Sequence, residues 1–452
     1  MLTGFLSVEN TRDSNSLQET LAQGANASEA NNSAQFASDS IVNVSDGSSS
    51  QTISNPSIPQ IVTAQNNSQS VFFDETGNLE TTPPAETDNE TAHIEKGLNY
   101  LSLYHMYSSN ITTDAILNRD FSKFRADGIT VISLSLYWYR LEGSVEGDYD
   151  GVYRNGNAKS YYGNWFLNDV KRVIQVANVH NIKVLVTFHT LWGGDGTWCT
   201  PSYVVDPVTG LNVGLAIVRS LEMRQAFINM FNHTVSYLAR TPGIWAWAIL
   251  NEPWYWGRTG TEHDFITNNG QTQKENFITL IQTLSGIVKA IDGRPVTIRF
   301  SNIHENRDEN GTVTSLKNIF TSDWGWDQRI FDALDFIGIN AYQYEEPTET
   351  LQTTWLNMTT QNVLGCASRN KQVWITEFGG SGSNDDDVTQ ANDYGKAIST
   401  YQNLPIKGLI AWFWRGDSPN NNPGLPGTGY NLCANATTGE PRPAYSELTG
   451  SS

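Results

Sequence analysis

Three things are scarce in this 452-residue chain, and each scarcity removes a class of protein. Cysteine is the first: Cys199, Cys366 and Cys433 are the whole supply. That is too few for a disulfide-stapled scaffold or a thiolate metal cluster, though enough for one bridge. Positive charge is the second: 28 Lys and Arg face 47 Asp and Glu, a net charge of −19. Such a chain repels nucleic acid and anionic membrane, so neither is an expected partner. Apolar length is the third. No run approaches the ~20 residues that span a bilayer, and the opening MLTGFLSVEN has neither a basic n-region nor an apolar h-region. No glycine-rich phosphate loop follows any strand-like run, which argues against nucleotide chemistry.

The shortages concentrate at the start. Residues 1–93 contain no Trp and no Tyr, and residues 1–96 hold 13 acids against two bases. A Ser/Asn/Thr-rich acidic segment of this kind cannot bury enough apolar surface to offset its chain entropy, so it reads as a disordered linker or stalk. Five Asn-x-Ser/Thr sequons fall there (Asn26, Asn31, Asn43, Asn66, Asn89) and five beyond it (Asn110, Asn232, Asn310, Asn357, Asn435). They point to an extracellular or cell-surface glycoprotein, against the alternative that Asn-rich sequence produces sequons by chance.

From residue 94 to 452 the texture is that of a folded domain. Apolar runs at 96–103, 129–138, 182–189, 244–250, 294–302, 334–342, 371–378 and 407–414 alternate with segments of helical periodicity. Continuous Val/Ile-rich runs separated by helices predict a parallel sheet covered on its outer side, and eight such units predict the α/β class, a (β/α)8 barrel. A doubly wound open sheet is the rival.

In such a barrel the chemistry sits where strands end. The polar strand ends are His189, Asn251 with Glu252, Asn340 with Tyr342, and Glu377; Trp412 and Trp414 lie at the eighth. Two glutamates ending strands four and seven converge on the barrel mouth, and paired carboxylates suit glycoside hydrolysis. Trp254 and Trp256, in the loop after Glu252, and Trp192 are candidate sugar platforms, with core packing as the competing reading. Trp245 and Trp247, inside strand four, are expected to pack. His304 and Glu305 line the cleft or face solvent. The NDDDV run at 384–388 has oxygen ligands for calcium, but a solvated helix start is the favoured reading, and no metal is expected.

The order of these pieces resembles the retaining glycosidases built on this barrel, most closely the cellulase-like glycoside hydrolase family 5, over about residues 94–446. Asn251-Glu252-Pro253 is similar to the acid/base motif, WITEFGG (374–380) to the nucleophile strand, and GLIAWFWRGDSP (408–419) to the eighth strand. The resemblance implies that Glu377 is the nucleophile, Glu252 the proton donor and Asn251 the ligand of the sugar 2-hydroxyl. It implies that Tyr342 touches the nucleophile, that Trp412 stacks on a sugar ring, that His189 is the third-strand histidine, and that Asn340 replaces a family histidine. One departure stands out. The family's second strand carries an arginine hydrogen-bonded to the nucleophile, and VISLSLYW (131–138) puts Ser133 there. Arg299 on strand five is a minor candidate to stand in.

The resulting expectation is a cofactor-independent retaining hydrolase of β-linked polysaccharide or oligosaccharide, with the pKa of Glu252 raised and that of Glu377 held low. Trp192, Trp198, Trp254, Trp256, Trp324 and Trp326 in strand-to-helix loops favour an open cleft. An endo-β-1,4-glucanase acting as a monomer is therefore the first reading. A β-mannanase, an exo-β-glycosidase and a catalytically silent carbohydrate-binding surface protein are the alternatives. If a disulfide forms, Cys199–Cys433 is the expected pair, since both lie in loops after strands.

Overall fold

The computed structural model describes residues 94–100, 113–137, 164–189, 217–218, 221–253, 273–307, 313–318, 320, 327–342, 348–380, 387–414, 431–435 and 438–450. All of them belong to the compact unit Ala85–Ser452; the expectation for residues 1–93 lies outside the described residues.

Eight parallel strands close into a barrel. In order around it they are Glu95–Asn99 (β1), Ile129–Tyr137 (β2), Lys183–His189 (β3), Ile244–Asn251 (β4), Val296–Ser301 (β5), Phe336–Asn340 (β8), Gln372–Glu377 (β9) and Gly408–Ala411 (β10), which pairs back onto β1. The predicted (β/α)8 architecture is therefore the fold. Helices Asp114–Ala126 (α1), Asn164–Val179 (α2), Leu221–Leu238 (α3), Gln273–Ile291 (α4), Gln328–Ala333 (α5), Glu349–Ala367 (α6), Asp387–Tyr401 (α7) and Pro443–Thr449 (α8) supply the outer layer. Local chemistry sets their ends. The hydroxyl of Thr113 accepts from the Ile116 amide at 3.3 Å to start α1, which buries Leu117, Phe121 and Phe124 along one stripe. Gly293, at φ +76°, closes α4 with its amide on the Val288 carbonyl at 2.9 Å.

Two hairpins were not legible in the apolar pattern. Ile303–Arg307 (β6) and Val313–Asn318 (β7) pair antiparallel directly after β5. Asparagines fasten the end of this hairpin to α6: the Asn318 amide donates to Asn362 at 2.9 Å, and Asn302 bonds both Thr359 and Asn362. His304 and Glu305 fall in β6. The second hairpin, Cys433–Asn435 (β11) with Glu440–Pro441 (β12), precedes α8.

The barrel has an apolar floor. Val131, Leu185, Ala246, Ala248, Phe336, Trp374 and Ile410 fill its interior toward the strand starts. Half-buried Trp245 stacks on Phe336 at 5.2 Å and meets Trp374 at 4.6 Å. Trp247 points the other way, fully buried against the helical layer, with its indole N–H donating to Asp292 at 2.7 Å. Both rings therefore pack, as expected. Gly408 is required beneath Trp374, because a Cβ there would stand 2.1 Å from the indole.

Cys366 is a free, buried thiol on α6, and burial pushes its pKa up to about 12. Cys433 is buried at the start of β11; Cys199, and with it the proposed bridge, lies outside the described residues. Among the described residues no helix is long and apolar enough to cross a membrane, and no cluster of three or more His, Cys, Asp or Glu could hold a metal. Residues 384–386 of the acidic run are outside the described residues; Asp387 begins α7 and pairs with Arg442 at 2.6 Å.

Candidate active site

Above the floor the barrel interior turns polar. Asn99, Ser133, Thr187, Arg299, Asn340, Thr376 and Glu377 are all buried there, at or near strand ends. The two glutamates arrive by the same device. Ala248 pairs with Thr297 but Asn251 with Arg299, so β4 carries one extra residue just before Glu252. Ile339 pairs with Ile375 but Asn340 with Glu377, so β9 carries one extra residue just before its glutamate. A one-residue slip re-aims the side chain that follows it.

Glu252 is held under strain. Its φ is +44° and it precedes Pro253, a combination that sterics disfavour and that costs on the order of 1–3 kcal/mol. The Arg299 carbonyl, accepting the Glu252 amide at 2.7 Å, fixes that backbone. The side chain is 5 % exposed, and Asn340 Nδ2 donates to its Oε1 at 2.9 Å. The orientation of that amide follows from Thr376, whose hydroxyl donates to Asn340 Oδ1 at 2.9 Å and so leaves the nitrogen facing the carboxylates. Asn251 Oδ1 lies 3.5 Å from the same nitrogen.

Glu377 is 1 % exposed. Tyr342 donates its hydroxyl to Oε2 at 2.6 Å, and Arg299 pairs with Oε1. Burial pushes the Glu377 pKa up; Arg299, foremost, with Tyr342 and Asn340, draws it back, and burial prevails. The direction is opposite to the low pKa expected from the sequence, because desolvation exceeds what the guanidinium and the neutral donors return.

Arg299, a minor candidate from the sequence, is the buried partner of Glu377. Its guanidinium, wholly buried, donates to Ser133 Oγ at 2.9 Å, to Thr187 Oγ1 at 3.4 Å and to the Thr376 carbonyl at 2.9 Å, besides meeting Glu377. The signal for it was present in VTIRFS: a lone arginine inside an apolar strand must find a buried partner.

Trp412, after β10, is half-buried, its ring meeting Phe413 at 5.3 Å. Trp414 is fully buried and donates to Asp120 at 3.3 Å, so it belongs to the core. His189 ends β3 opposite Tyr137 of β2. Trp192, Trp198, Trp254, Trp256, Trp324 and Trp326 lie outside the described residues.

No protein-family model matches this chain, and no curated protein matches it in sequence. Solved structures do match in fold. An endo-1,4-β-mannanase from Rhizomucor miehei is 16% identical, with 79% of this chain and 95% of that one covered and a TM-score of 0.53. GH5_18 from Bifidobacterium longum subsp. longum is 13% identical over 79% and 78%, at 0.54. GH5_18 from Streptomyces cattleya, solved as a variant with Manβ1-4GlcNAc, is 11% identical over 79% and 80%, at 0.54. The chain is thus similar in fold to barrel enzymes of glycoside hydrolase family 5.

Proposed function

We propose that this chain is a retaining glycosidase of β-linked glycans, with Glu377 as nucleophile and Glu252 as acid/base. The observation that carries the reading is the pair of buried strand-end carboxyls at the barrel mouth, Glu252 held by the Asn340 amide and Glu377 held by Arg299 and Tyr342. Double displacement asks for carboxyls about 5–5.5 Å apart, closer than the roughly 6.5–9.5 Å that admits a water between them. Ionised Glu377 attacks the anomeric carbon as Glu252 protonates the departing oxygen. Glu252 then takes a proton from water, which displaces Glu377 and regenerates both groups. Asn251 binds near the 2-hydroxyl, Trp412 offers a ring face at the mouth, and His189, Trp192, Trp254 and Trp256 are assigned to sugar contact.

Within that reaction we read β-mannan or a β-mannoside oligosaccharide as the substrate, in preference to the β-1,4-glucan of the first expectation. The support is that two of the fold relatives above are described by mannose-containing substrates or ligands: a mannanase, and a complex with Manβ1-4GlcNAc. A surface or extracellular location belongs to the same proposal, supported by the sequons and by exposure of Asn232 and Asn357 on their helices. The test is hydrolysis of β-mannan, carboxymethyl cellulose, aryl β-mannoside and Manβ1-4GlcNAc, with product sizing and anomer assignment by proton NMR. Release of the inverted anomer sinks the mechanism, and faster turnover of cellulose than of every mannoside sinks the substrate.

A further inference from the structure

The position at which family 5 resemblance calls for an arginine, Ser133 on β2, holds a hydroxyl, and that hydroxyl accepts from Arg299 Nη1 at 2.9 Å. Thr187 on β3 lies 3.4 Å from the same nitrogen and 3.0 Å from Ser133 Oγ. The other terminal nitrogen reaches the Thr376 carbonyl and Glu377 Oε1. The guanidinium thus crosses the interior from β5, is received by two small hydroxyl residues on β2 and β3, and meets the carboxyl on β9. The main-chain carbonyl of the same residue holds the strained Glu252 backbone at 2.7 Å.

We propose that Arg299 is the positioning residue of Glu377, delivered from β5 into a seat formed by Ser133 and Thr187 in place of an arginine on β2, and that it ties both carboxyl-bearing segments to one residue. Two small side chains at the receiving positions leave the volume that a long side chain from β5 must occupy. An arginine at both 133 and 299 would put two cations against one carboxylate. The proposal rests on the reading of Glu377 as nucleophile. The charged and titratable groups facing that carboxyl among the described residues are Arg299 from β5, Tyr342 after β8 and, through Asn340, Glu252 after β4.

The experiment compares Arg299→Gln, Arg299→Lys and the double variant Ser133→Ala/Thr187→Ala with the wild type. Two readouts are taken: the acid limb of kcat/KM, and the protonated-carboxyl infrared band assigned to Glu377 by subtracting the spectrum of Glu377→Gln. Removing the positive partner should raise both midpoints by about 1–3 pH units in R299Q. Arg299→Lys should keep them nearer the wild type. The double variant, which keeps the charge but loosens its seat, should stay folded and raise them by a smaller step. Unmoved midpoints in folded R299Q overturn the proposal. Should R299Q not fold, the double variant decides, and unmoved midpoints there overturn it equally. The infrared titration needs no turnover. A wild type inactive on every β-glycoside whose Glu377 band still shifts in R299Q therefore removes the glycosidase reading and leaves the placement of Arg299 standing.

Discussion

Glu377 and Tyr342 divide their work in a way that single substitutions separate. Glu377→Ala should abolish turnover, with azide restoring part of it and giving the inverted product; failure of azide to act on a folded variant would count against a nucleophile. Tyr342→Phe removes the 2.6 Å hydrogen bond to Oε2. It should leave the fold intact and move the acid limb of kcat/KM upward, because a donor to the ionised form is lost. The wild-type limb itself should already lie above the ordinary carboxylate range, since burial prevails over the groups that oppose it. A carboxyl whose folded pKa exceeds its unfolded one binds its proton more tightly in the native state. Its contribution therefore falls as pH rises from the ordinary glutamate value through the folded value. Melting temperature against pH, wild type versus Glu377→Gln, reads this directly, and a slope identical in both would remove Glu377 as its source. Among the indoles, Trp247→Ala should cost ~3–5 kcal/mol through cavity and transfer terms. Half-buried Trp412→Ala should raise KM more than it lowers stability. Melting curves beside kinetics distinguish the two.

At the scale of elements, helix starts and the barrel floor carry separable contributions. Asp327 caps α5, its carboxylate accepting from the Arg329 amide at 3.1 Å, and the Arg329 guanidinium is the largest cause holding its pKa down to about 2. A depressed carboxyl contributes above its unfolded pKa and loses that contribution as pH falls toward 2. Asp327→Ala should cost about 0.5–2 kcal/mol near neutrality and nothing in strong acid, as measured by urea unfolding at both pH values. On the floor, Gly408→Ala drives a methyl into Trp374, so expression yield and melting temperature should both fall. Moving the guanidinium back is the sharper element-level trial: Ser133→Arg together with Arg299→Ser should be more active than Arg299→Ser alone. The eight barrel strands were legible because parallel strands buried on both faces write themselves as apolar runs. The β6–β7 hairpin was not. HENR and VTSLKN are polar and short, and what anchors their end is a set of asparagine contacts to α6, distant in sequence. Arg299 was legible only as a minor candidate for a related reason: β5 and β9 are separated by β8, and only barrel closure brings their interior residues together.

For the molecule as a whole, composition predicts that removing residues 1–93 leaves activity on soluble substrate and the melting temperature unchanged. A drop of several degrees on truncation would show that the segment packs. The closed barrel has a further consequence. Its interior is a hub, and side chains from all eight walls point at the same small volume. Which wall supplies a given charge is nearly immaterial to the atoms at the centre, provided another wall gives up the space. Function can therefore rotate around the axis over evolutionary time while its destination stays still. Compared column by column, Ser133 stands where the resemblance calls for an arginine; compared at the axis, Arg299 supplies one. Relatives of this kind should be sought by what converges on the hub, whichever spoke delivers it.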